Sequence, residues 1–245
     1  MIDIHSHILA GIDDGAEALD DGLAIVRELA SQGVTEIIAT PHYIDETIYV
    51  SSKQKNQRLL TQLKKAVEAE KIDVKLYLGN EIYICNRIND LVESGQIATM
   101  NGSEYLLVEL PMTEKFPSYE DILHDLVLKG YKVILAHPER YTITQDDFSI
   151  LEQLVELGVL LQCNTGSFIR QYGKHAEKLA VKLAKNRMIF ALGSDIHHTR
   201  KRNEIELAIK KLRKYYSEDD LEQILDKNPR KIINGRKHRR NTNKK

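Results

Sequence analysis

The sequence predicts an α/β fold in which parallel strands close into a barrel, and three observations carry that prediction. Strand-like and helix-like stretches alternate about seven times along 245 residues, the order that produces a parallel sheet with right-handed crossovers. With 42% hydrophobic residues the chain can bury a sizeable core. Metal-ligand side chains recur just beyond the strand-like stretches, and barrels of this kind hold their active sites at the carboxyl ends of their strands.

Ile2 to Ile4 reads as the first short strand and delivers His5 and His7 at its end. Residues i and i+2 of a strand share a face, so both imidazoles can aim at one point. Asp13, Asp14 and Gly15 follow in a loop. From Glu17 to Gln32, apolar residues at Leu19, Leu23, Val26, Leu29 and Ala30 keep the period of a one-sided helix, which Gly33 stops. Thr35 to Thr40 has the pattern of a buried strand; Pro41, which cannot donate to a sheet ladder, ends it and leaves His42 at its tip.

Tyr43 to Val50 reads as a loop, and Ser51 to Lys71 as a long polar helix with Leu59, Leu60, Leu63, Ala66 and Val67 on its apolar face. A third strand, Val74 to Leu78, runs into Gly79, Asn80 and Glu81, and a helix spans Asn86 to Glu93. The fourth strand, Tyr105 to Val108, ends at Glu109. After a helix from Tyr119 to Lys129, closed by Gly130, the fifth strand from Lys132 to Ala136 ends at His137. A helix from Gln145 to Leu157 leads to a sixth strand, Val159 to Cys163. The helix from His175 to Asn186 precedes the seventh strand, Met188 to Leu192, which opens into Gly193-Ser194-Asp195-Ile196-His197-His198. Helices from Arg202 to Tyr215 and from Asp219 to Leu225, and a short one opened by Asn228-Pro229, complete one domain over residues 1–234.

The formal net charge is −1, yet the segment from Gly235 to Lys245 holds six Lys/Arg and no acid, so the remainder carries −7. An acidic body argues against nucleic-acid binding. The basic segment reads as a solvated, disordered tail or as an electrostatic handle for an anionic membrane surface or an acidic partner. No apolar run is long enough to span a bilayer and no secretory signal opens the chain, so a cytoplasmic protein is expected. Cys85 and Cys163 lie far apart in apolar surroundings, as reduced thiols would.

His5, His7, His42, Glu81, Glu109, His137, Asp195 and His197 all fall at strand ends. Imidazoles and carboxylates without thiolates suit Mn, Fe, Zn or Co, and so many ligands exceed the needs of one ion. Two or three divalent ions are expected, lowering the pKa of a bound water toward 7 and so pointing to hydrolysis. Arg140 and Arg202 follow metal ligands closely, and arginine's planar fork matches phosphate oxygens, which places a phosphoester ahead of an amide. His198 reads as a solvent-facing or supporting residue, and His124, His175 and His238 as surface residues.

The stretches MIDIHSHILAGIDDGA, IIATPH, GNEIYI, LLVELP, VILAHPERY and GSDIHH together resemble the PHP (polymerase and histidinol phosphatase) superfamily. Within it the chain is most similar to the CpsB/YwqE-type bacterial tyrosine-protein phosphatases, over roughly residues 1–234. The resemblance implies a distorted seven-stranded TIM-like barrel and a trinuclear site, with manganese as the metal. It implies that His5, His7, Glu81 and Asp195 hold one ion, that Glu81, Glu109 and His137 hold the second, and that Asp14, His42 and His197 hold the third. It further implies phosphate contacts from Arg140 and Arg202. The implied activity is attack of a metal-bridging hydroxide on a phosphotyrosine, and the implied partner is a bacterial tyrosine kinase with a tyrosine-rich tail that regulates capsule or exopolysaccharide synthesis. A histidinol-phosphatase-type enzyme, a non-catalytic binding module and a metal-dependent amidohydrolase are the alternatives.

Overall fold

The computed structural model describes residues 1–199 and 205–236; Arg202, His238 and most of the basic tail lie outside them. In chain order the elements are β1 (Ile2–Ser6), α1 (Leu19–Ser31), β2 (Glu36–Ala39), β3 (His42–Tyr43), α2 (Lys53–Ala69), β4 (Lys75–Leu78), β5 (Glu81–Tyr83) and α3 (Ile88–Glu93). Then come β6 (Tyr105–Glu109), α4 (Tyr119–Leu128), β7 (Lys132–Leu135), α5 (Thr142–Asp146), α6 (Ser149–Glu156) and β8 (Leu160–Asn164). The last are α7 (Gly173–Lys185), β9 (Ile189–Gly193), α8 (Ile205–Leu212), α9 (Glu218–Glu222) and α10 (Asn228–Ile233). Every strand pairing is parallel, in one sheet ordered β1-β2-β4 and another ordered β3-β5-β6-β7-β8-β9.

Beyond the second and third predicted strands the chain re-enters a sheet as two further short strands, β3 and β5, that the sequence reading did not include. Pro41, with no N–H for the ladder, separates β2 from β3, and Gly79-Asn80 separates β4 from β5. Asn80 fixes the second break: its Nδ2 donates to the Pro41 carbonyl at 2.9 Å and its Oδ1 accepts from the Ala98 amide at 2.8 Å. β3 and β5 then pair with His42 opposite Glu81, bringing two candidate ligands side by side. The first and last strands also meet: the Asp195 amide donates to the His5 carbonyl at 2.8 Å and the His7 amide to the Ile196 carbonyl at 3.0 Å. The predicted helix from Gln145 to Leu157 is two, α5 and α6, because Asp147 is extended (φ −133°) and its carboxylate accepts from the Ser149 amide at 2.9 Å, starting a new helix.

Alternation along the strands sorts the core. On β6, Leu106 and Val108 pack in one cluster, while Tyr105 and Leu107 join Ile2, Ile4, Ile38, Ile134, Ala136 and Ala191 in a central cluster drawn from both sheets. Ile232 of α10 packs into that same cluster. Glu109 continues the parity of Tyr105 and Leu107, which carries its carboxylate from the central core into the site above it.

Candidate metal centre

Nine candidate ligands come together where the strands end. Ligand atoms of His5, Glu81, His137 and Asp195 lie within 4.8 Å of one another, as do those of His7, Asp14, His42 and His197, and those of His42, Glu81 and Glu109. These sets share every residue of the partition implied by the resemblance but divide them differently, putting His7 with Asp14 and His137 with His5. His7 stands between sets: its Nε2 is 3.2 Å from both His5 Nε2 and Glu81 Oε2.

Backbone irregularity aims several of these side chains. By alternation His137 would share the outward parity of Val133 and Leu135, but its backbone is left-handed (φ 30°, ψ 54°), which turns it out of that series. Asp195 is left-handed too, at φ 52°. Non-glycine residues in this region cost energy and persist where the surroundings hold them, commonly at functional sites. Between Asp3 and Ser6 the β1–β2 register shifts, a device that re-aims side chains such as His5.

The hydrogen bonds around the histidines set their tautomers. His5 Nδ1 faces the Gln162 side-chain oxygen at 2.9 Å, His7 Nδ1 faces Asp13 Oδ2 at 2.9 Å, and His197 Nδ1 faces the Asp195 carbonyl at 3.0 Å. Each of these oxygens accepts, so each Nδ1 donates and each Nε2 is left with a lone pair directed toward the others. Two lone pairs 3.2 Å apart at His5 and His7 repel unless a cation or proton lies between them. Buried His42 Nδ1 and Glu81 Oε2 likewise have no hydrogen-bond partner. Converging nitrogen and carboxylate donors without hydrogen-bond partners are what divalent metal ions require, so these residues fit the implied metals.

Charge in the pocket is tightly balanced. Burial disfavours the Glu81 and Asp195 carboxylates, but His5 and its neighbours outweigh it and hold both well below the usual range. Glu109 goes the other way: burial, reinforced by Glu81 and Asp195, pushes it well above. Burial opposes protonated His5 and His7, yet Glu81 and Asp195 raise the first, and Asp13 most strongly raises the second. Burial brings His137 down to about 4. At half-exposed Asp14 the His197 contact brings the carboxyl to about 2.

Beside the ligands, a pocket of about 290 Å³ is lined by Asp14, Arg140, Gln171, Tyr172, Asp195, His197 and His198. Arg140 Nη1 donates to Asp195 Oδ2 at 2.6 Å, and its guanidinium lies 4.4 Å from the centre of the Tyr172 ring. Asp195 Oδ2 also accepts from Asn164 Nδ2 at 2.7 Å, which leaves Oδ1 to His5, His7 and His197. His198 is exposed and belongs to none of the ligand sets, and His175 is also exposed.

Asp13, Gln162, Asn164 and Tyr172 were not singled out from the sequence for these roles. Asp13 does most: besides orienting His7, its carboxylate accepts from the His42 amide at 3.0 Å and the Gly15 amide at 3.0 Å. Partners that orient metal-bound histidines commonly contribute 10- to 100-fold to metal affinity. Asp13→Ala is therefore expected to weaken metal binding by roughly that factor, measured by titrating manganese into metal-stripped protein. An affinity within twofold of wild type would contradict the assigned role.

Comparison with known proteins follows the whole chain rather than the ligands alone. Residues 1–234 match the family model described as capsular polysaccharide synthesis, CpsB/CapC. Tyrosine-protein phosphatase YwqE of Bacillus subtilis is 34% identical over 83% of this chain and 80% of its own. Tyrosine-protein phosphatase CpsB of Streptococcus pneumoniae is 26% identical over 95% of this chain and 98% of its own. Among solved structures, a chain from the crystal structures of YwqE and CpsB, described as unique metal-dependent tyrosine phosphatases, superposes with a TM-score of 0.86 at 31% identity, covering 96% of this chain and 95% of that one. Histidinol phosphate phosphatase of Lactococcus lactis, with a TM-score of 0.58 at 19% identity over 87% of this chain and 93% of that one, shares the fold.

Proposed function

The chain belongs to the CpsB/CapC capsular polysaccharide synthesis family, and from that premise we propose that it is a metal-dependent protein-tyrosine phosphatase. The observation that carries the reading is the convergence of the His5 and His7 Nε2 lone pairs on the Glu81 and Asp195 carboxylates, with His197 Nε2 on Asp14, beside a pocket walled by Arg140. His5, Glu81, His137 and Asp195 would hold one ion, His7, Asp14, His42 and His197 another, and His42, Glu81 and Glu109 a third, with manganese as the physiological metal. Bound divalent ions polarise phosphoryl oxygens and lower the pKa of water.

The chain's own groups do the rest. Arg140 binds the phosphate, and the Asp195 carboxylate and Tyr172 ring hold its guanidinium in place beforehand. Arg202, outside the described residues, is the second arginine of this reading. The phenol of tyrosine, with a pKa of about 10, leaves more readily than an alkyl alcohol. The proposed substrate is a phosphotyrosine on the tail of a bacterial tyrosine kinase in the capsule pathway, met at the inner face of the membrane. Among the described residues no helix is long and apolar enough to cross a membrane, and the tail from Gly235 is proposed to contact anionic lipid.

We read the two sheets as one ring of seven strands, β2–β3 and β4–β5 each counting as one broken strand. That ring sets the ligands around a common mouth. The decisive experiment compares phosphate release from a phosphotyrosine peptide and from histidinol phosphate, using metal-stripped protein reloaded with manganese, beside the His5→Ala, His7→Ala double variant. Preference for the peptide, lost in the double variant, is the expected result; preference for histidinol phosphate would replace the substrate. No cysteine takes part: burial pushes the Cys163 thiol well up, away from the reactive thiolate, and raises Cys85 as well. Cys85→Ser and Cys163→Ala are expected to keep kcat within about threefold when folded, and a large loss in either would point to a covalent thiol route.

A further inference from the structure

The pocket beside Arg140 is built for phosphate, and its aromatic side chain is already engaged: Tyr172 presents its ring to the Arg140 guanidinium and its hydroxyl to Asp195 Oδ2 at 3.4 Å. A phosphotyrosine also brings a phenyl ring, which gains from an aromatic or apolar wall. The loop between β3 and α2 brings an aromatic ring up to the candidate ligands. Tyr49 is half-buried with its ring centre 6.1 Å from that of His42, interplanar angle 29°, and His42 is in turn 4.6 Å from His7. The neighbours of Tyr49 are both apolar and uncovered: Ile48 is 88% exposed and Val50 40%. The other large exposed hydrophobic residues, Leu19, Leu128, Val155 and Leu207, lie singly elsewhere in the chain.

The loop holds its own shape. Thr47 Oγ1 donates to the Ile44 carbonyl at 2.7 Å and accepts from the Tyr49 amide at 3.1 Å, while the Ile44 amide donates to the Tyr49 carbonyl at 3.3 Å. Arg87 ties Asp45 down at 3.3 Å, and Glu46 is left-handed at φ 62°. This self-bonded turn spends backbone strain to display Ile48 and Val50 on either side of Tyr49, whose ring lies beside the candidate ligand His42.

We propose that residues 44–50 form the aryl subsite of the enzyme, with Tyr49 packing on the phenyl ring of the phosphotyrosine and Ile48 and Val50 meeting apolar residues that flank it. This rests on the tyrosine phosphatase reading and adds the residues that favour a phosphotyrosine chain over an alkyl phosphate. Phosphate affinity comes from the arginine side of the pocket, and aryl preference from this one.

The test is the binding of phenylphosphonate and of methylphosphonate to manganese-loaded protein by calorimetry, together with bound metal per chain and kinetics on a phosphotyrosine peptide. Tyr49→Ala should weaken phenylphosphonate about five- to tenfold, leave methylphosphonate unchanged, and raise KM for the peptide with kcat within about twofold; Tyr49→Phe should restore the wild-type values. Ile48→Ser, which leaves the ring beside His42 in place, should raise KM for an apolar-flanked peptide but not for phenyl phosphate. Equal weakening of both phosphonates, loss of metal from Tyr49→Ala with no effect of Ile48→Ser, or no effect of either would overturn the subsite. Wild-type protein inactive on the peptide would instead remove the phosphatase reading, a result that the phosphonate binding data distinguish.

Discussion

Replacing Glu81 with alanine is expected to lower phosphatase activity by a factor on the order of a thousand or more, because one carboxylate serves most of the centre. Its Oε2 lies 3.1 Å from His5 Nε2, 3.2 Å from His7 Nε2 and 3.1 Å from His42 Nδ1, and its Oε1 lies 2.9 Å from His137 Nε2. No other candidate ligand approaches four imidazoles this closely among the described residues. The sharper readout is thermal. A ligand that binds only the folded state at 100 times its Kd adds about 2.7 kcal/mol of stability, so manganese should raise the Tm of stripped wild-type protein and leave Glu81→Ala nearly unmoved. A full metal-dependent shift in the variant would show that the ions are held without Glu81. The raised pKa values of His5, His7 and Glu109 add a check on the wild type. Groups that hold protons in the stripped protein must surrender them to metal, so binding should release protons and weaken as pH falls.

Strand ends were readable in the sequence because parallel α/β folds place chemistry at the carboxyl ends of their strands, and the histidine and acidic residues following each apolar run were conspicuous for their type. Which atoms face which was not readable. His137 and Asp195 depend on left-handed backbone that no periodicity reports, and the sharing of His42 and Glu81 between sets depends on the broken strands that place those two residues opposite each other. Gln162 did leave a trace: an uncharged polar residue inside the buried run LLQCN must find partners, and it finds His5 on one side and Asn164 on the other. Asp13 left none, since adjacent Asp13 and Asp14 are equivalent by spacing; only the fold turns one under His7 and the other outward toward His197. Arg140 was readable by position, whereas its Tyr172 platform, more than thirty residues away in the chain, was not.

Arg140→Ala should separate phosphate binding from metal binding, the reverse of what Glu81→Ala does. Its guanidinium lines the pocket, 24% exposed at the side chain, and is held on one side by Asp195 Oδ2 and beneath by the Tyr172 ring. Losing a preorganised cation that meets charge developing on a phosphoryl group costs about 100- to 1,000-fold in turnover efficiency, and kcat/KM for a phosphotyrosine peptide should fall by that order. Lysine should recover little, because it has neither the planar fork nor the surface to stack on Tyr172. Bound metal should stay at the wild-type level: Asn164 still donates to Asp195 Oδ2 at 2.7 Å, so the Oδ1 that faces the histidines remains in place. If Arg140→Ala instead loses its metal along with its activity, then the arginine acts by holding Asp195, and the phosphate contact must come from another side chain.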